Sequence, residues 1–332
     1  MKVLVKGAGV AGLTLAHELA ARTMDVVVTE TRPGLAGSAS WQAGGMLAPW
    51  CERESAEEDV IALGASAADW WDEALPGHVE RKGTLVLAQP RDAGELSRFA
   101  QRTSGCSWLD GDQVGELEPD LAGRFRRGLF FAREAHLDPR RALEALHRKL
   151  AATGVAFRFD AGPDPAEDAD FVADCTGMAS PQAGLRGVRG EMLILHAPEI
   201  ALSRPVRLLH PRFPVYVVPR AGHRFMVGAT MLESDASGPV TARSMMELLA
   251  AACGLHPAFG EAEVVETASG VRPAYADNLP RVQMDGRTIR INGLYRHGFL
   301  LAPAMARRAA ATMMRMAHDP AGKEEFLHAA HD

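Results

Sequence analysis

Apolar positions at the start of the chain fall into a strand, a helical face and a second strand. Residues 3–5 (VLV) read as a buried strand, and Leu13, Ala16, Leu19 and Ala20 follow at helical spacing. Residues 25–30 (DVVVTE) read as the second strand. Gly7, Gly9 and Gly12 form a GxGxxG turn between the first strand and the helix. The first glycine lets the chain leave the strand sharply, the second lets backbone approach a pyrophosphate, and the third lets helix and sheet close together. The free N–H groups at the helix start, around Gly9, Val10 and Ala11, then face a diphosphate favoured by the helix dipole. Glu30 lies 18 residues beyond Gly12, near the ~20 expected of a carboxylate that binds a ribose, with Thr31 beside it. This register predicts a dinucleotide site and leaves NAD and FAD both open.

Residues 32–52 carry neither period and are rich in Gly, Ala, Ser and Pro. They read as a loop in which Ser38, Ser40, Gly44 and Gly45 offer hydroxyls and bare backbone to a flavin. A helical pattern returns over 56–75, with Trp70 and Trp71 as core or interface residues. Residues 83–89 read as a strand and 92–103 as a helix. Asp138 followed by Pro139 marks a helix start, and Leu143, Leu146 and Leu150 give that helix one apolar face ending before Gly154. A short strand is expected at 155–159 and an exposed acidic stretch at 162–170. The run FVADCTG at 171–177 reads as a buried strand returning to the first sheet, which brings Thr176 and Gly177 near the nucleotide.

From 190 to 230, EMLILH, PVYVVPR and RFMVGAT alternate with turn residues and predict an antiparallel sheet. Residues 243–253 read as a helix, 270–280 as a loop, 290–292 as a strand and 304–318 as the last helix. The predicted fold class is α/β. A Rossmann-like dinucleotide-binding domain (1–78, 138–188 and 267–332) is interleaved with an antiparallel-sheet substrate domain (79–137 and 189–266).

Charge narrows the function. A net charge of −6 and a pI near 6.1 over 332 residues offer no field for nucleic acid. The four cysteines are far apart, with no CxxC pair and no spacing suited to a metal. Lys6, Thr14, His17 and Glu18 interrupt the apolar start, so a mature cytoplasmic beginning is expected rather than a secretory signal. No run approaches the ~20 apolar residues of a membrane span. These features suit a soluble enzyme of small molecules, with assembly into a homo-oligomer left open.

The motifs together resemble a known family. The fingerprint with Glu30, AGGMLAP at 43–49 with Glu52, RGE at 189–191, YVVPR at 216–220, VGATM at 227–231, GVRP at 270–273 and RHGFLLAP at 296–303 occur in the order seen in the FAD-dependent D-amino-acid oxidase superfamily. More narrowly they resemble its glycine oxidase branch, linked to thiamine thiazole synthesis. The resemblance implies FAD, held noncovalently because residues 295–303 contain no cysteine. The cofactor residues it implies include Ser38, Ala43, Gly44, Gly45 and Met46, with Arg296, His297, Gly298, Phe299, Leu300 and Leu301 in the carboxyl-terminal loop. Backbone N–H groups at 298–301, and a helix expected to start after Pro303, are aimed at the flavin and stabilise its reduced anion.

The implied reaction passes hydride from the Cα of glycine, or of a small N-substituted glycine, to the flavin. Dioxygen then takes the electrons as hydrogen peroxide, and water releases glyoxylate and amine. Arg272 is expected to clamp the substrate carboxylate, since a guanidinium matches it with two parallel hydrogen bonds. Tyr216 is expected to add a hydroxyl to that carboxylate, Arg296 to lie beside flavin and substrate, Met231 and Met46 to line the pocket, and Glu52 to serve the amine side. His297 is expected to be structural, because hydride transfer from a neutral amine needs no general base. Two departures stand out: residues 155–174 are short for the family, and Pro214 replaces a histidine of some relatives. Iminodiacetate, sarcosine and D-amino acids fit the same clamp. A dehydrogenase with a quinone or protein acceptor, or a module using FAD structurally or presenting a modified tRNA to it, are the competing readings.

Overall fold

The first strand is apolar at its centre, Val3, Leu4 and Val5, because it is covered on both sides, as parallel strands are. In a computed structural model that describes residues 1–54, 58–162 and 168–318, Lys2–Lys6 lies between two parallel neighbours, Asp25–Thr29 and Phe171–Asp174. Val3 stands opposite Val26 on one side and Phe171 on the other. The run at 171–174 therefore rejoins the first sheet as expected. Ala156–Arg158 extends this sheet beyond Asp25–Thr29, and Thr288–Asn292 with Arg281–Asp285 complete its six strands at the other edge.

Helix Val10–Ala20 crosses over from the first strand to the second and packs along the last helix, Gly298–His318. Ala16 of the first helix and Ala306, Ala309 and Ala310 of the last are all buried in one cluster with Leu13, Leu19 and Phe299. The predicted helix start at 138 is also present. The Asp138 carboxylate accepts from the Arg140 and Arg141 N–H groups at 2.9 and 3.3 Å, and Pro139–Ala152 buries Leu143, Leu146 and Leu150.

A nine-stranded sheet stands over the first. Arg186–His196 pairs antiparallel with Arg224–Gly228, which pairs with Val215–Arg220 and then Val206–Leu209. The antiparallel run predicted for 190–230 is thus formed. Thr84–Ala88 joins it in parallel with Val206–Leu209, and Arg127–Phe131 and Ser107–Asp110 follow. Helix Ala242–Leu255 packs on one face through Leu248, Ala252 and Leu255.

Four expectations change. Residues 270–274 are not loop: they end the twelve-residue strand Glu263–Ala274, which pairs along Arg186–His196. Glycine and proline there obscured the strand, yet Gly270 stands directly opposite Gly190. The pattern over 56–75 is two helices, Glu58–Gly64 and Ala67–Ala74, and Leu300 packs on Gly64 so closely that an added Cβ would lie 2.7 Å from its Cγ. Within 32–52, Met46–Leu47 pairs with Ala135–Leu137 and Pro49–Glu52 forms a helical turn. Finally, the last helix starts at Gly298 and contains Pro303. The acidic stretch expected at 162–170 lies largely outside the described residues, which omit 163–167.

Pro303 has no N–H for the carbonyl of Phe299, four residues earlier. The Trp71 indole N–H donates to that carbonyl at 2.8 Å, while its ring packs against the Phe299 ring at 5.4 Å. Trp71→Phe keeps a ring there and orphans the carbonyl, so we expect a loss of about 1–3 kcal/mol in unfolding free energy from urea titration. An unchanged midpoint would show that the carbonyl finds another donor.

Candidate active site

A cavity of about 920 Å³ opens at the carboxyl ends of the parallel strands and is roofed by the second sheet. Ligands of open α/β sheets bind at such strand ends. Lys6 and Gly7, Thr29 and Glu30, and Cys175 and Thr176 bring three strand ends to its wall. Gly7 turns there with φ +98°, and a Cβ on it would come within 2.6 Å of the Cys175 carbonyl oxygen. Gly9, Val10 and Ala11 follow on the wall. Gly12 instead packs against the Gly7 carbonyl, in keeping with its helix-packing role.

The Glu30 carboxylate is anchored by its surroundings. It accepts from the Ala8 N–H at 2.9 Å, the Arg32 guanidinium at 2.7 Å and the Thr31 hydroxyl at 3.3 Å. Of the two serines in the following loop, Ser38 bonds within it, to the Leu35 carbonyl and from the Trp41 N–H. Ser40 reaches the helix start, accepting from the Val10 N–H at 3.0 Å. On the opposite side Thr176 donates to Asp174, and Gly177, at φ +64°, has its carbonyl held by the Asn292 side chain at 3.0 Å.

Ala43, Gly44, Gly45 and Met46 form the middle of the wall. The buried Arg220 guanidinium supports them from behind, donating to the Gly44 carbonyl at 2.8 Å and the Leu137 carbonyl at 3.3 Å. Burial lowers its pKa to about 10, so it remains a cation at neutral pH. Gly298 and Phe299 bring the start of the last helix to the cavity, whereas His297, Leu300 and Leu301 turn into the protein interior. The sequence expectation there concerned the backbone N–H groups at 298–301, of which Gly298 and Phe299 belong to the cavity wall, and a structural His297. The earlier helix start aims this N-terminus at the cavity.

The five residues expected to carry chemistry meet at one end of the cavity: Glu52, Tyr216, Met231, Arg272 and Arg296. Arg272 projects from Glu263–Ala274 across Gly190, whose lack of a side chain makes room for the guanidinium. It donates to the Thr230 carbonyl at 3.1 Å and forms no ion pair among the described residues. Burial and the nearby Arg296 lower its pKa to about 10, which leaves it charged. Met231, 45% exposed, lies at the mouth with its sulfur near the Tyr295 hydroxyl and Arg296.

Glu52 is only 5% exposed, yet it is ionised. Burial pushes its carboxyl up, but Arg296 at 3.1 Å, His297, Arg207 and the Tyr216 hydrogen bond bring it down to about 2. Burial holds the His297 imidazole near pKa 4, so it is neutral at pH 7 and the arginines carry the attraction. Tyr216 donates to Glu52 at 3.1 Å and accepts from Arg207 at 3.0 Å. Its one proton is thus directed at Glu52, whereas sequence directed it at a substrate carboxylate. Pro214 lines the cavity nearby.

Arg207 escaped the sequence reading. It lies in Val206–Leu209 at 1% exposure, donates to Glu54 at 3.1 Å, and stacks over the rings of Phe99 and Tyr216. A lone arginine in a fully buried strand was the available signal. Glu134 was missed too. It accepts from the Cys51 N–H at 2.7 Å behind the turn that carries Glu52. Burial raises its pKa to about 7 against the pull of Thr84 and Cys51.

A glycine-lined strand-end cavity, an anchored acid at one end and buried arginines at the other define a dinucleotide-dependent oxidoreductase. The chain belongs to the DAO family of FAD dependent oxidoreductases, whose model matches residues 2–312. Over 316 residues it is 61% identical to a Rhizobium etli protein that carries the name thiamine biosynthesis oxidoreductase ThiO, covering 95% of this chain and 97% of that one. It is 29% identical to a glycine oxidase of Geobacillus kaustophilus, covering 91% and 89%. The crystal structure of Geobacillus kaustophilus glycine oxidase superposes with a TM-score of 0.80, at 24% identity and 94% of both chains. An iminodiacetate oxidase from Chelativorans gives 0.77 at 25% identity, over 94% of this chain and 95% of that one. FAD is therefore the cofactor, and the site suits it: the glycine turn excludes a side chain where backbone must approach a diphosphate.

The two buried carboxyls bend stability in opposite directions with pH. Glu52, lowered from 4.5 to about 2, contributes stability that is present above pH 4.5 and lost as pH falls towards 2. Glu134, raised from 4.5 to about 7, contributes stability present below pH 4.5 and lost as pH rises through 7. In urea unfolding across this range, Glu134→Gln should flatten the loss between pH 4.5 and 7. A slope identical to the parent's would remove Glu134 from the account.

Proposed function

We propose that the protein is an oxidase of glycine or a small N-substituted glycine, serving thiamine thiazole formation. The carrying observation is Arg272: a buried, charged guanidinium without an acid partner among the described residues, at the end of the FAD cavity. A ligand carboxylate completes it with charge-assisted hydrogen bonds. The names of the glycine oxidases support this substrate class, and that of the ThiO relative supports the thiamine setting.

Bound FAD supplies the hydride acceptor, and dioxygen restores it with release of hydrogen peroxide. The chain's own part is to place the substrate. Arg272 holds the acid group, while Met46, Pro214, Tyr216 and Met231 close the space around the small remainder. Arg296 is kept beside the site by its ion pair with Glu52. The amino end of Gly298–His318 faces the cavity and favours negative charge there. No side chain has to take a proton from Cα, and the His297 imidazole is buried behind Glu52. The imine product is released to water, which yields glyoxylate and amine. FAD is held noncovalently, because the one cysteine on the cavity wall, Cys175, sits at the Gly7 end with its thiol kept protonated by burial.

Likeness to the iminodiacetate oxidase favours a second reading, in which a longer N-substituted glycine is preferred. Anaerobic bleaching of the flavin by glycine, sarcosine, iminodiacetate and D-alanine ranks these substrates, and peroxide formed in air separates an oxidase from a dehydrogenase. Arg272→Ala should lower kcat/KM by at least ~30-fold, equivalent to about 2 kcal/mol for a lost charge-assisted pair. Unchanged kinetics in that variant would move the carboxylate clamp elsewhere.

A further inference from the structure

Behind the flavin loop, on the side from which Arg220 supports it, lies a second cavity of about 270 Å³. Its rim is fixed by Arg140, which pairs with Glu266 at 2.7 and 2.8 Å and lies over the Trp41 ring at 5.3 Å. Ala221, Arg224 and Val265, all exposed, put its mouth in solvent. Three residues line both this cavity and the large one: Ala43, Met192 and Met226. The two methionines are 2% and 3% exposed and pack with Ile194 and Val218. Glycines on the large-cavity side give Met226 its room, since a Cβ on Gly228 would lie 2.9 Å from its Cε and one on Gly44 3.9 Å from its Sδ.

We propose that dioxygen reaches the large cavity, beside the flavin loop, through the smaller one, crossing the partition at Met192 and Met226. The proposal rests on the oxidase reading given above. Methionine is unbranched, and a turn of its thioether opens a passage that a branched side chain would keep shut. No side chain shared by the two cavities carries a hydrogen-bonding nitrogen or oxygen, so a charged amino acid would shed its water there without compensation. Dioxygen has no such hydration to lose, and apolar space of this kind takes up apolar gas. The partition therefore admits the gas and refuses the substrate, which enters past the exposed Met231.

Separate entrances suit a site that must receive two reactants. A ligand held by Arg272 fills the end of the large cavity near Met231 and Arg296, and none of these three residues lines the smaller cavity. The way in behind the flavin loop thus stays clear of a bound amino acid. The dioxygen that arrives takes two electrons and one proton from the reduced anionic flavin and a second proton from water, and leaves as hydrogen peroxide.

The test separates the two half-reactions of the FAD-loaded enzyme by stopped flow and follows the methionines themselves by NMR. Met226→Phe, which fills and stiffens the partition, should slow reoxidation of the reduced enzyme by dioxygen at least about fivefold and leave anaerobic reduction by glycine within about twofold. Met226→Ala should be reoxidised at least as fast as the parent. Reoxidation of Met226→Phe at the parent's rate, an equal loss in both half-reactions, or slower reoxidation of Met226→Ala overturns the route. In parent enzyme with isotope-labelled methionine methyls, dissolved dioxygen, which is paramagnetic, should broaden the Met192 and Met226 signals more than those of Met305 and Met313, which are 0% exposed in the core of the first sheet. Equal broadening of all four overturns the route even where Met226→Phe does not fold. If the reduced parent is not reoxidised in air with release of peroxide, the oxidase reading itself has failed, and the methyl signals still decide the route.

Discussion

A carboxylate taken out of water keeps its charge only when cations accompany it, and Glu52 organises the site through that requirement. Arg296 is drawn to it from the carboxyl-terminal loop and Arg207 from the second sheet, with the Tyr216 hydroxyl between. Glu54 takes the remaining side of Arg207. With these acids engaged, Arg272 is the cation of the group that has no acid partner among the described residues. The carboxylate clamp proposed for Arg272 would follow from this local charge count.

The same centre ties the two sheets together. Glu52 ends a turn packed between them, Arg207 and Tyr216 belong to the upper sheet, and Arg296 precedes the helix that closes the lower one. Removing one member of such a buried group strands the others without a partner, which costs roughly 3–5 kcal/mol in comparable cases. Stability and substrate geometry therefore depend on the same contacts. Arg220 plays the parallel part under the flavin loop, where its donors hold the Gly44 and Leu137 carbonyls.

Close approach is the second constraint. Gly7 admits the Cys175 carbonyl, Gly190 admits the Arg272 guanidinium, and Gly64 admits Leu300. The last helix tolerates Pro303 because Trp71 reaches across to the carbonyl that the proline leaves unpaired. In each case a residue that looks unfavourable for its own element is suited to a neighbour distant in sequence.

That distinction separates what was legible from what was not. The glycine turn, the acid 18 residues later, the Asp138 cap and the apolar faces of strand and helix are local patterns, and they stand in the structure where the chain placed them. Residues 270–274 and 298–303 were misplaced because glycine and proline report only local preference, while strand pairing and an indole donor overruled it. Ser40 rather than Ser38 at the helix start, and His297, Leu300 and Leu301 behind the wall, depend on which way a side chain turns. Arg207 could not be assigned at all, since its partners Phe99, Cys51 and Glu54 all lie far from it in sequence. The sequence by itself determined the dinucleotide fold, the family and the charged groups available to the site. Tertiary structure alone decided which of those charges neutralise one another and which is left for a ligand, because that depends on distances between residues that only folding brings together.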